Sequence, residues 1–260
     1  MADFKNKYGP WALIAGASEG LGAAFARALA DRGLNLLLIA RRLNKLEVLA
    51  KELKADYQIE VEVQSVDLSD FDTVKKVVTD FKDSIGLLVY NAAFAPIGYI
   101  EDLEEVNLSR IVDVNIRTPL LLTKLMSSRM IANKRGGIVL MSSLAGAQGS
   151  PKIATYAASK AFNAILAEGI WKELEKYQID VMASCAGAIS TPGFNKASTG
   201  KDAPGTLTAN EVAEDTLNAL GKGPTIIPGF TNKLAYFFMN RIFPRKWAIS
   251  IMNKNTKDLS

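Results

Sequence analysis

The feature that most constrains this chain is the alternation of short, continuous apolar runs with longer amphipathic ones. WALIAG (11–16), LNLLLIA (34–40), LLVYNAA (87–93), GIVLMSS (137–143) and IDVMASCAG (179–187) hold one charge among them, Asp180, and VEVQSV (61–66) alternates. Between these runs the spacing predicts helices: AFARALADRG, which closes at Gly33, LNKLEVLAKELKADY, 70–83, a long helix over 107–132 that Pro119 would kink, and 154–176. A helix over 209–220 and a last short strand, TIIP (225–228), follow. Strands that read as unbroken apolar runs belong to a parallel sheet covered on both sides. Parallel neighbours need a crossover, and the crossover helices lie on the faces. The expected fold is therefore α/β, a single-domain doubly wound parallel sheet with helices on both faces. In such sheets ligands bind beyond the carboxyl ends of the strands. Gly16, Ala40, Asp67, Asn91, Ser143 and Gly187 all fall at those ends, so they are expected along one edge.

Composition removes several functions. The 31 basic and 27 acidic residues leave a net charge of +4, scattered and without the basic stripe of a polyanion binder, so no nucleic-acid partner is expected. The chain has no histidine, which rules out Ser-His-Asp and Cys-His catalysis and removes most zinc sites; no metal site is expected. Proton transfer then falls to tyrosine and lysine. The one cysteine, Cys185, lies in an apolar run and reads as a buried thiol. The first ten residues hold no apolar core of a signal peptide, and no apolar run reaches the roughly 18 residues of a spanning helix. The expected location is the cytoplasm.

GASEGLG (16–22) joins the first strand to the first helix. Its glycines let a backbone approach a pyrophosphate at the positive end of that helix, with Gly16, Ser18, Glu19, Gly20, Leu21 and Gly22 as the cradle. An acidic residue at the end of the second strand would bind a ribose 2′-hydroxyl. This chain has Ala40-Arg41-Arg42 there, and guanidinium groups suit a 2′-phosphate. NADP(H) is therefore expected over NAD(H), although Glu19 counts mildly against a strongly anionic ligand. Tyr156 and Lys160 share a helix face, and Ser143 precedes the tyrosine by 13 residues. A hydroxyl, a phenol and an ammonium can converge there on one carbonyl oxygen. With seven tyrosines in the chain, chance alone predicts roughly 0.6 Tyr-x-x-x-Lys pairs, so the pair needs its context.

That context is present. Gly16, Gly20 and Gly22, Asp67-Leu68, Asn91-Ala92, Asn115, Ser143, Tyr156, Lys160, and Gly187 with Thr191 occur in the order seen in the short-chain dehydrogenase/reductase family. The sequence resembles that family to about residue 229. The glycine turn and the Arg pair look like its NADP(H)-preferring ketone and 3-oxoacyl reductases. The resemblance implies a Rossmann-type fold and hydride transfer between a nicotinamide and a carbonyl or alcohol carbon. It implies Tyr156 as proton donor, with Lys160 beside it lowering the phenol pKa, and Ser143 as hydrogen-bond donor to the substrate oxygen. It also implies that Lys160 holds the nicotinamide ribose, and that Asn115 positions a water for a proton relay. Asn91 and Ala92 would line the cofactor, Asp67 and Leu68 would meet the adenine, and Gly187, Ile189 and Thr191 the nicotinamide. Alternatives stay open for two of these: Asn115 as a helix residue bonded to neighbouring backbone, and Asp67 as the cap of the helix near Asp70. Two departures touch only local backbone. Asn91-Ala92-Ala93 stands where the family has Asn-Ala-Gly, and Ala186-Gly187 where it has Pro-Gly.

Specificity is expected in 94–101, in 146–152 and in the loop 188–207, a lid by composition and length. These segments suggest an apolar ketone, with Lys152, Lys196 or Lys201 near any anionic handle. The catalytic domain is expected to span 1–229, with 230–260 a helical extension of it. The tail 230–254 mixes aromatic and basic residues. It reads either as a helix pair resting on a membrane or an acyl chain, or, preferred, as a helix over the substrate cleft or against another subunit. A homodimer or homotetramer is implied by the resemblance alone.

Overall fold

A computed structural model describes residues 2–191, 205–257 and 259. Its helices and strands run in chain order as α1 (Ala2–Tyr8), β1 (Trp11–Ala15), α2 (Gly20–Asp31), β2 (Asn35–Ala40), α3 (Leu43–Asp56), β3 (Val61–Ser65), α4 (Phe71–Asp80), β4 (Ile85–Tyr90) and α5 (Glu105–Val112). They continue with α6 (Thr118–Asn133), β5 (Gly136–Ser143), α7 (Ala154–Leu174), β6 (Ile179–Ala186), β7 (Ile189–Ser190), β8 (Leu207–Thr208), α8 (Ala209–Ala219), β9 (Thr225–Ile226), α9 (Phe230–Phe237) and α10 (Arg245–Thr256). Seven parallel strands form one sheet in the order β3-β2-β1-β4-β5-β6-β9. The doubly wound expectation is met. The strand order reverses between β1 and β4, which opens a crevice at their carboxyl ends.

The period of two along each strand divides the core into two layers. Ala12 and Ile14 of β1 and Leu36 and Leu38 of β2 face α2, α3 and α8, through Phe25, Leu29, Leu46 and Val212. Trp11, Leu13, Leu37 and Ile39 face the opposite side, against Val74, Leu122, Met126 and Ala167 of α4, α6 and α7. Both faces are buried, which is why these strands carry no polar alternation. The helices close by local chemistry. Asp70 caps α4 by accepting from the Thr73 N–H at 3.1 Å, and Thr208 and Glu211 form a reciprocal capping box on α8.

Three departures from the sequence reading matter. First, α1 was not foreseen, because its seven residues show no periodic apolar pattern. Second, the expected helix over 107–132 is α5 and α6 joined by a π-turn at Asp113–Arg117. Pro119 lies in the first turn of α6, where a missing N–H costs little, so the interruption lies at the π-turn and not at the proline. Third, the ends of loop 188–207 pair as a small parallel ladder, Ile189 with Leu207 and Ser190 with Thr208; residues 192–204, with Lys196 and Lys201, lie outside the described residues. Among the described residues no helix is long and apolar enough to cross a membrane.

Candidate active site

The crevice is a cleft of about 1040 Å³. Gly16, Ser18, Glu19, Gly20, Leu21, Arg41, Arg42, Asp67, Leu68, Asn91, Ala92, Ser143, Tyr156, Lys160, Gly187, Ile189 and Thr191 all line it. Of the residues expected from sequence, only Gly22 and Asn115 sit behind the wall.

The glycine turn is fixed from below. A side chain on Gly16, whose φ is +88°, would place its Cβ 2.7 Å from Ala92 N and Cα. One on Gly22 would lie 2.0 Å from Gly16 O. The Asn91 amide braces the turn by donating to Gly16 O at 2.9 Å. This packing brings the start of α2 against the strand ends. Glu19 at its N-cap forms no side-chain cap, so the first-turn N–H groups are left to a ligand. That cradle fits a pyrophosphate.

Beside it, Arg42 donates to Ser18 Oγ at 2.9 Å and pairs with Glu19 at 2.6 Å, while Lys45 reaches the other Glu19 oxygen at 2.5 Å. The Arg42 hydrogen bond is the largest influence holding the Glu19 carboxyl down to about 2. Two cations thus offset Glu19, and its weight against an anionic ligand falls away. Arg41 is exposed on the same rim.

Asp67 does not cap α4; Asp70 does. Asp67 Oδ1 accepts from the Ser69 N–H and hydroxyl at 3.0 and 2.9 Å, and Oδ2 from Arg110 at 2.6 Å. Burial pushes this carboxyl up, but the Ser69 bonds and the Arg110 charge outweigh it and hold it below its usual range. Arg110, whose guanidinium lies 5.5 Å over the Phe94 ring, was not foreseen. Its partner lies 43 residues away in sequence, and no local pattern joins them.

At the other end of the cleft β5 delivers Ser143, and α7 presents Tyr156 and Lys160 one turn apart. The Ser143 hydroxyl accepts from the Ala145 N–H at 3.2 Å and lies on the same cleft wall as the Tyr156 phenol. Lys160 is buried, donates to Met141 O at 2.9 Å and lies 5.5 Å from the Tyr156 ring centroid. Two findings correct the expected electrostatics. Burial pushes the Tyr156 phenol up, and the Ser143 hydroxyl only partly opposes this. Burial also lowers Lys160 to about 8, with the Cys185 thiol opposing it weakly. The expected lowering of the phenol by Lys160 does not appear; desolvation of both groups dominates.

Asn115 lies in the π-turn with its side chain buried. Its amide grips the backbone of Phe94, accepting from its N–H at 2.8 Å and donating to its C=O at 2.9 Å, and also donates to Ser159 at 3.0 Å. The π-turn sets this residue in place, and the Tyr90 hydroxyl satisfies the neighbouring Val114 carbonyl at 2.5 Å.

The segments 94–101 and 146–152 reach the cleft through Phe94, Ile97 and Gln148. The rest of that end is walled by the tail, one of the two placements in its preferred sequence reading, through Tyr236, Met239, Met252 and Leu259. Asn232 ties the wall down by donating to Gly205 O and Pro228 O, each at 3.1 Å. Lys152 donates to the carbonyls of Lys257 and Leu259 at 2.7 and 2.9 Å.

A doubly wound sheet with a glycine turn at its switch point and Ser, Tyr and Lys across the same cleft defines a class, the Rossmann-type oxidoreductases. Residues 10–202 match the model of the short chain dehydrogenase family, and the chain belongs to that family. It is 32% identical over 234 residues to a 7beta-hydroxysteroid dehydrogenase of Clostridium sardiniense, covering 89% of this chain and 90% of that protein. A solved 7beta-hydroxysteroid dehydrogenase studied for its stereoselectivity superposes with a TM-score of 0.88 at 29% identity, over 96% of this chain and 98% of the other. A short-chain dehydrogenase of Sphingobium yanoikuyae in complex with NADPH gives a TM-score of 0.79 at 27% identity, over 87% of this chain and 91% of the other.

Proposed function

We propose that the protein is an NADP(H)-dependent reductase of a bulky, apolar ketone of steroid size, acting in reverse on the alcohol. One observation carries this reading: a single cleft joins the Ser18, Arg41 and Arg42 rim to the Ser143, Tyr156 and Lys160 set, and ends in an apolar wall. The two guanidinium groups and the hydroxyl suit a 2′-phosphate. The NADPH-bound relative and the hydroxysteroid dehydrogenase support cofactor and substrate class. Lys152, one of the lysines expected near an anionic handle, is engaged by the tail carbonyls, which favours an uncharged substrate.

The bound nicotinamide supplies the hydride. The chain supplies the rest. The glycine turn and the start of α2 hold the pyrophosphate, Asp67 and Leu68 the adenine side, and Asn91 and Lys160 the nicotinamide side. Ser143 and Tyr156 hydrogen-bond the substrate oxygen and stabilise the charge it develops. Tyr156 gives that oxygen its proton. A phenol raised by burial stays protonated at neutral pH, so it acts as an acid in the reductive direction without prior adjustment. Lys160, near 8, lies close enough in pKa to neutral pH to help return a proton to the phenol. Asn115 positions this set by clamping Phe94 and Ser159. Val106, Val112, Leu120 and Ile165 are exposed on α5, α6 and α7, which supports self-association through that face.

The test is loss of NADPH absorbance against a panel of hydroxysteroid-derived ketones and 3-oxoacyl thioesters. Steroid ketones should turn over and Tyr156→Phe should abolish turnover while NADPH still binds. Arg41→Ala combined with Arg42→Ala should weaken NADPH at least tenfold more than NADH. Near-normal turnover in the tyrosine variant, or equal weakening of both dinucleotides, would sink the corresponding assignment.

A further inference from the structure

The two tail helices have faces of opposite character. The inner face walls the cleft. The outer face exposes Phe230, Leu234 and Phe237, spaced i, i+4 and i+7 along one side of α9, then Phe238 just past its end, and Phe243 and Trp247 beyond. Phe230 is 80% and Trp247 64% accessible, far beyond ordinary scatter for such residues. Three of these rings adjoin: Phe237 and Phe238 are 5.8 Å apart, and Phe238 and Phe243 6.3 Å.

The tail that carries this patch is strongly basic. From residue 230 to 260 the chain has six basic residues, Lys233, Arg241, Arg245, Lys246, Lys254 and Lys257, against one acidic one, Asp258. None of the six is in an ion pair among the described residues. The patch is also held firmly at the cleft rim. Arg245 donates to Ala147 O at 2.6 Å, Lys152 holds the end of the tail, and Ala248 is fully buried beneath α10.

We infer that the outer face of α9 and α10 is a docking surface for an anionic lipid bilayer. Aromatic side chains ringed by lysine and arginine are the chemistry of the interface between headgroups and acyl chains. A second copy of the chain is the competing occupant, and the charges oppose it. A two-fold contact sets a patch against itself, so one basic tail would meet another, six cations and a single carboxylate on each. Phosphate headgroups supply the missing charge. Because the inner face of the same helices walls the cleft, docking sets the cleft rim on the phase in which an apolar ketone concentrates.

The experiment is co-sedimentation of the full-length chain with vesicles of phosphatidylcholine and phosphatidylglycerol, against vesicles of phosphatidylcholine alone. Its readout is independent of the reaction assigned above. The chain should bind the anionic vesicles at low salt, with a blue shift of Trp247 emission, and should release at high salt. Each cation is worth roughly fivefold in binding, so Arg241→Glu with Lys246→Glu should weaken it by about 25-fold or more. Phe237→Ser with Trp247→Ser should abolish it. None of these four side chains lines the cleft, so turnover of a water-soluble ketone and the thermal midpoint should stay unchanged. Absence of binding to anionic vesicles at low salt overturns the inference. So does equal binding by all variants, or a dimer in sedimentation velocity that the same substitutions convert to monomer without any vesicle binding.

Discussion

Lys160 offers a quantitative check on the electrostatics of the site through Lys160→Met, which keeps the apolar stem of the side chain and removes its charge. The folded chain holds this lysine near 8, against an ordinary 10.5 when exposed, chiefly through desolvation. Between those values the unfolded chain binds more protons than the folded one, so this group makes stability rise with pH. The penalty for its buried charge is about 3 kcal/mol at pH 7 and about 1 kcal/mol at pH 10, at 1.36 kcal/mol per unit of displacement. The substitution also leaves Met141 O without its donor, which costs about 1 kcal/mol. Lys160→Met should therefore be more stable than the native chain by about 2 kcal/mol at pH 7, and the two should converge near pH 10. Urea unfolding at one protein concentration and ionic strength, at each pH from 7 to 10 and without dinucleotide, measures this. A constant difference across that range, or a native chain more stable at pH 7, would refute the assignment of a buried, destabilised ammonium.

Two further outcomes test the frame around the site. In Gly22→Ala the new methyl meets Gly16 O at 2.0 Å, so urea unfolding should show a loss of about 2 kcal/mol, and calorimetric titration an affinity for NADPH at least tenfold lower. Asn115→Ala leaves the N–H and C=O of Phe94 without their partner. It should lower stability by roughly 2–4 kcal/mol, and an unchanged thermal midpoint would show that the clamp contributes nothing.

The sheet was legible because a strand buried on both faces has to be apolar throughout, and β1, β2, β4, β5 and β6 each leave that unbroken trace. The cofactor end was legible for a related reason. Its groups sit at strand ends, so finding the strands placed Gly16, Asp67 and Asn91. What escaped was set by contacts between distant segments. The Arg110–Asp67 pair, the Asn115–Phe94 clamp and the seating of Asn232 have no sequence periodicity to announce them. The expected effect of Lys160 on Tyr156 failed for a different reason: sequence shows that two groups are neighbours but not how dry their surroundings are. Aromatic residues in the tail showed that something must cover or be covered, and only the fold separated the cleft-facing side from the open one.

The way the tail closes the substrate end has an evolutionary consequence. The dinucleotide cradle is built from the first third of the chain, whereas Tyr236, Met239, Met252 and Leu259 of the far wall come from its last thirty residues. A lineage can thus recast which substrate it accepts by altering the segment 230–259, with no change to the strand ends that carry the glycine turn. The same separation gives an engineer two regions to vary independently, and makes an affinity tag at the carboxyl end a perturbation of the substrate site.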